Sequence, residues 1–222
     1  MVKPQARRIK KQISQILLLG DKEKVFETLD QIPDKKLIGP LFTNLYSLNE
    51  LVKFRSSYFI GRLAKRLLEN NIEDARILFR RLMWNLNDES GGIGWGSPEA
   101  MGYILSQNKC LALEYESILF SYIDSGKNFI EHEMLQRGCL WGVGTYLKTC
   151  VEPEEKTIKN CCLFLNSKDP IKRGYALRAL LNADKTNIKI VPKKNLSDKN
   201  KIFIFDGWNL IQTRIDKIID KI

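Results

Sequence analysis

A chain of 222 residues that is 44% hydrophobic and 28% charged can bury a substantial core, which excludes a disordered or low-complexity protein. No apolar run reaches the roughly 18 to 20 residues that span a bilayer, and the opening MVKPQARRIKKQISQILLLGDKEK has neither the apolar length nor the small-residue cleavage site of a secretory signal. A cytoplasmic protein without a membrane partner is therefore expected. The net charge of +10 is carried by the ends: residues 1–24 hold seven Lys or Arg against Asp21 and Glu23, and residues 185–201 hold six Lys against Asp198. Residues 87–133 instead hold eight acids against Lys109 and Lys127, so a phosphate backbone is repelled from the centre and a nucleic-acid partner is disfavoured.

In chain order, amphipathic segments come first and are expected to cap one end of the fold. From about residue 37 to 183 the apolar spacing is helical and paired. Residues 55–70 place Phe59, Leu63 and Leu67 in one i,i+4 row and Ile60, Ala64 and Leu68 in the next, with Arg62, Lys65, Arg66 and Glu69 toward solvent. After Asn70 and Asn71, a second stripe of Ile72, Ala75, Phe79, Leu82 and Leu86 completes a helical hairpin. The pattern recurs at 97–108 with 111–124 and at 130–149 with 153–166, and 170–183 supplies one more first helix. Arg137-Gly138 and Arg173-Gly174 lie 36 residues apart, and Gly61 to Gly102 is a step of 41. Such periods predict an all-α fold, a HEAT-like α-α superhelix in which stacked hairpins bury faces that no single hairpin can bury.

The end differs. KIFIF (201–205), Asp206-Gly207 and WNLIQT (208–213) predict a small C-terminal β-hairpin with a DG turn, and RIDKIIDKI a short closing helix, together a cap for the open end of the solenoid. The expected units are N-terminal capping helices over 1–36, HEAT-like repeats over 37–183, and a basic linker, hairpin and terminal cap over 184–222.

The stretch NDESGGIGWGSPEAMG (87–102) resembles an active-site loop, yet it has neither the GK[ST] ending of a P-loop nor GxGxxG spacing, and no strand precedes it. Ser97 is a candidate N-cap, Pro98 suits the first helical position, and Glu99 places negative charge in that first turn. The glycines permit close packing with Trp95 plugging the seam between repeats, and the same rigid turn would make a pocket wall. Helix 130–149 carries Gly138, Gly142 and Gly144, each costing about 1 kcal/mol relative to Ala. Gly138 and Gly142 share a face, which predicts close approach of a neighbouring helix or of the glycine loop.

Glu131, His132, Glu133 and Arg137 form the most chemical-looking cluster, with Glu133 and Arg137 spaced as an i,i+4 ion pair. His132 is the only histidine, HExxH is absent, and the five cysteines contain no CxxC. Buried helix cysteines, no bound metal and no cofactor are expected.

The stretches WNLNDESGGIGWGSPEAMG (84–102) and EHEMLQRGCLWGVG (131–144), with LIGPLFTNLYSLNELVKFRS upstream, resemble an uncharacterised prokaryotic family of HEAT-like-repeat proteins. The resemblance implies an α-solenoid and no particular activity. The residues favour a non-enzymatic binding scaffold whose acidic and aromatic surface combines Trp84, Asn87, Asp88, Glu89, Trp95 and Glu99 with His132, Glu133, Arg137 and Trp141. Such a surface suits a protein or peptide partner bearing basic groups, or a cationic small molecule. Two alternatives stand beside it. One is an enzyme or cofactor-handling protein using Glu99, His132 and Glu133, since HEAT-like proteins resembling bilin lyases show that the fold can serve such chemistry. The other is a nucleic-acid-binding protein, by resemblance to HEAT-like DNA repair glycosylases.

Overall fold

Side-chain caps set where several helices begin. The computed structural model describes residues 4–86 and 94–221. Asn49 accepts from the amides of Leu51 and Val52 and so starts α4 (Glu50–Asn70), ahead of the apolar rows that first signal it. Helices α1 (Pro4–Ile16), α2 (Lys22–Asp30) and α3 (Asp34–Asn44) precede it. Helices α5 (Ile72–Leu86), α6 (Ser97–Gln107), α7 (Lys109–Ser121), α8 (Glu133–Leu147), α9 (Glu155–Phe164) and α10 (Pro170–Ala183) follow. At the head of α10, Asp169 accepts from the Ile171 amide at 2.9 Å, with Pro170 in the first turn.

Helices α4, α6, α8 and α10 pack side by side in one layer, while α5 lies against α4 and α6, α7 against α6 and α8, and α9 against α10 in a second. Helix α3 extends the stack by packing on α4 and α1. The architecture is an all-α, HEAT-like solenoid. Its first layer is unusually close. A Cβ placed on Gly142 would lie 2.2 Å from the Pro98 carbonyl oxygen, and one on Gly102 would lie 2.3 Å from that of Gly142. Only glycine admits that approach, as the shared glycine face of α8 led one to expect.

Several local expectations change. Ser97 is the first helical residue of α6, not its N-cap; Gly96 takes that position, and among the described residues no side chain caps the helix. Helix α8 begins at Glu133, leaving Glu131 and His132 outside it. Among the cysteines, Cys139 and Cys161 are buried, Cys150 and Cys162 half-buried and Cys110 exposed, so burial of all five does not hold.

Beyond α10 a 3-10 turn (Lys185–Ile190) and α11 (Lys193–Leu196) lead into an antiparallel pair, β1 (Lys201–Phe205) and β2 (Leu210–Arg214), with Ile204 opposite Ile211. The turn between the strands has four residues rather than two. Asp206 Oδ1 accepts from the amides of Trp208 at 2.8 Å and Asn209 at 2.6 Å, and Gly207 takes a φ of +103°, which withdraws Trp208 and Asn209 from the second strand. The closing segment, Ile215–Lys221, is a 3-10 helix whose Ile215 and Ile218 are buried.

The hairpin also does more than cap the last repeat. Ile202 packs against Gly174 of α10, Phe205 stacks on Phe54 of α4 with ring centres 5.4 Å apart, and the Trp208 indole donates to the Gly20 carbonyl at 2.9 Å. Arg55 clamps this far contact: its guanidinium lies 3.6 Å from the Trp208 ring centre and donates to the carbonyls of Trp208, Leu17 and Leu19. A two-stranded ribbon cannot stand alone; this one is held because it spans the first layer from α10 to α4. Tyr175 Oη donates to the Phe203 carbonyl at 3.0 Å. Tyr175→Phe is expected to lower stability by about 1 kcal/mol and to speed amide exchange in β1 without loss of helical signal; unchanged exchange would remove Tyr175 from the account of how the ribbon is held.

Candidate functional site

The first turn of α6 places Glu99 against α8, where side-chain volume would normally exclude it. A Cβ on Gly138 would lie 2.6 Å from Glu99 Oε2, so the missing side chain of Gly138 makes room for the carboxylate. Glu99 is only 3% exposed. Among the described residues its Oε2 has no hydrogen-bond partner, while Oε1 stands 3.7 Å from the Lys53 ammonium, beyond hydrogen-bond reach. Lys53 is held more closely by Glu50, at 2.9 Å. Burial, partly offset by Lys53, pushes the Glu99 carboxyl up to about 7, because an ionised group loses its hydration in such surroundings.

Glu99 lines a cavity of about 490 Å³ between the first-layer helices and the hairpin. Phe54, Met134, Tyr175, Phe203 and Leu210 supply its apolar walls, and Glu50, Lys53 and Arg137 its charged ones. Arg137 does not pair with Glu133 along the helix. It donates to Asp169 at 2.7 Å, while Glu133 lies 3.3 Å from Lys172. One repeat on, Arg173 donates to Asp198 at 2.8 Å. Both arginines thus join consecutive units, and this tertiary geometry replaces the intrahelical pair suggested by spacing.

The residues singled out in the sequence do not form one surface. Glu99 and Arg137 share the cavity. Trp95 meets His132 edge-on, with ring centres 5.1 Å apart. It is half-buried; the glycine beside it fills the seam, since a Cβ on Gly96 would lie 2.9 Å from Leu45 Cδ2 and 3.1 Å from Ser57 Oγ. Trp141 is fully buried, edge-on to Phe54 and Tyr175 at 4.9 Å each, and so belongs to the core. Trp84 is 74% exposed on α5, in the other layer. Asn87, Asp88 and Glu89 lie outside the described residues. Glu99, His132 and Glu133 are likewise dispersed: Glu99 is buried, His132 rests against Trp95, and the Glu133 side chain is 75% exposed beside Lys172. Among the described residues no group of three His, Cys, Asp or Glu could hold a metal ion, and no helix is long and apolar enough to cross a membrane.

Sequence reading passed over Lys53, although a signal was present. Lys53 stands seven residues before Ile60, and Ile60 seven before Leu67, on a stripe that is otherwise buried. A lysine there must find a carboxylate, and it finds two.

Comparison with known proteins finds similarities at low identity. An uncharacterized protein of Archaeoglobus fulgidus is 28% identical over 116 residues, which are 52% of this chain and 55% of that one. The matched stretch therefore spans about half the length of that relative. No protein-family profile matches the chain. Among solved structures, an engineered protein is similar at 16% identity over 87% of this chain and 90% of its own, with a TM-score of 0.48. A designed armadillo repeat protein in complex with the peptide (KR)4 is similar at 16% identity over 85% of this chain and 92% of its own, with a TM-score of 0.44.

Proposed function

We propose that this chain is a non-enzymatic binding scaffold, and that its partner, a peptide or protein, inserts a basic side chain into the Glu99 cavity. The observation that carries the reading is a buried carboxylate, with one oxygen unpartnered among the described residues, lining a cavity whose walls are mainly aromatic and aliphatic. Arg137 has Asp169 and Lys53 is drawn closer to Glu50, so Glu99, 3.7 Å from Lys53, lacks a hydrogen-bonded cation among the described residues. An incoming ammonium or guanidinium would supply it, while Phe54 and Tyr175 cover the apolar stem of the same side chain.

The coupling to pH tests this reading. Glu99 must ionise to pair with a cation, and its carboxyl sits near 7, so binding should tighten by about tenfold between pH 6 and pH 8. Fluorescence anisotropy with labelled Lys- and Arg-containing peptides, against acidic peptides of equal length, measures it. Tighter binding of the basic set at pH 8, lost in Glu99→Gln, is the expected result. Equal affinity for basic and acidic peptides, or binding that survives Glu99→Gln, would place the interface elsewhere.

A further inference from the structure

A second cavity, of about 430 Å³, lies on the Arg178 side of the hairpin, and its chemistry is opposite in sign. Arg178 on α10 lies with its guanidinium 3.8 Å from the Trp141 ring centre. It donates through Nη1 to the Trp141 carbonyl at 3.2 Å and through Nη2 to Thr145 Oγ1 at 3.3 Å. A guanidinium has five N–H donors in one plane, so these two contacts fix its orientation and, among the described residues, leave three unspent. No carboxylate pairs with it among the described residues, in contrast to Arg137 and Arg173 on the same layer. Arg55, also without a carboxylate partner at salt-bridge distance among the described residues, donates to three backbone carbonyls and is thereby consumed as a structural clamp. Arg178 is a partly buried cation with neither arrangement complete, and burial pulls it down to about 10.

The rest of the wall suits an anion. Lys148 and Lys221 add two cations, and Gln107 and Asn182 add amides, of which Asn182 spends one N–H on the Gly144 carbonyl. Asp206 is the carboxylate among the lining residues, and its Oδ1 already accepts two amides of the hairpin turn. Tyr58 and Tyr103, edge-on with ring centres 5.5 Å apart, provide aromatic surface beside the cations. A planar cation with N–H groups to spare, lining one cavity with a lysine, matches the tetrahedral oxygens and double charge of a phosphate monoester.

We infer that this cavity binds a phosphate-bearing small molecule, its phosphate held by Arg178 and Lys148 and its body resting toward Tyr58 and Tyr103. The site is separate from the Glu99 cavity, with which it shares no lining residue, so either assignment can fail without the other.

Isothermal titration calorimetry of the whole chain with inorganic phosphate, ribose 5-phosphate and adenosine 5′-monophosphate, with adenosine as the uncharged control, tests it. At least one phosphate compound should bind while adenosine does not. Lys148→Ala alters an exposed side chain and should weaken that binding about tenfold; Arg178→Gln should abolish it with the helical circular dichroism retained, and Glu99→Gln should leave it unchanged. Absence of heat with all three phosphates, or affinity indifferent to Lys148→Ala, would overturn the assignment whether or not Arg178→Gln folds.

Discussion

Replacing Gly142 by alanine should destabilise the protein even though alanine is the better helix former. In an open helix the change would gain about 1 kcal/mol. Here the new Cβ would lie 2.2 Å from the Pro98 carbonyl oxygen and 3.0 Å from its carbon, and those atoms belong to backbone at the head of α6, which cannot rotate aside. Helix α8 must move outward, drawing with it the contact between Gly102 and Gly142 and loosening the packing that buries Trp141. Overpacking of this kind costs about 1 to 3 kcal/mol and sometimes more, so a net loss near 2 kcal/mol, or about 4 to 8 °C in melting midpoint for a chain of this size, is expected. Gly142→Leu should not yield a folded protein at all. Gly20 is the control: nothing stands within 4 Å of a Cβ there, and Gly20→Ala should be neutral or slightly stabilising. Thermal melts of the three variants decide the matter, and a Gly142→Ala midpoint at or above that of the natural chain would show that the two helices are not locked through this glycine.

Glu99→Gln should make the folded chain more stable at neutral and alkaline pH while changing little in acid. The sign follows from the direction of the shift. Burial raises the folded-state carboxyl from its ordinary 4.5 to about 7, so the folded chain binds the proton more tightly than the unfolded one. The stabilisation is complete below about 4.5 and is lost as pH rises to about 7, amounting to roughly 3 kcal/mol across that interval. Asp124 and Asp198 act in the opposite direction. The Lys156 ammonium and the Gly126 amide lower the Asp124 carboxyl, and Arg173 together with Asn200 lowers that of Asp198 against the opposing effect of burial. Their contributions are present above the ordinary carboxylate range and fail in stronger acid. Urea melts of both proteins between pH 4.5 and 8 isolate Glu99, because glutamine keeps its shape without the titration. Parallel stability curves across the interval would mean that Glu99 ionises as freely in the fold as in the unfolded chain, and would remove the electrostatic basis of the proposed basic-side-chain site.

The periods of 36 and 41 residues, the apolar rows of residues 55–86 and the shared glycine face of α8 determined a good deal: an all-α solenoid, its hairpins, and the close approach of helices at Gly142. Those features were legible because helical periodicity and the absence of a side chain act through positions a few residues apart, or through a steric demand that any neighbour must meet. Glu99 and Arg137 were legible as chemistry. Their setting was not, since the space beside Glu99 comes from Gly138, its nearest cation from Lys53, and the partner of Arg137 is Asp169, 32 residues away. Trp141 illustrates the limit: one aromatic residue in a helix has the same local signature whether it faces a ligand or a core, and only the packing of Phe54 and Tyr175 around it made it core. Tertiary structure alone likewise carried the hairpin across the first layer to Arg55 and left Arg178 without a carboxylate among the described residues. Burial and pairing depend on which distant segments exclude water from a group, and that is decided when the layers close, not by the spacing of residues along the chain.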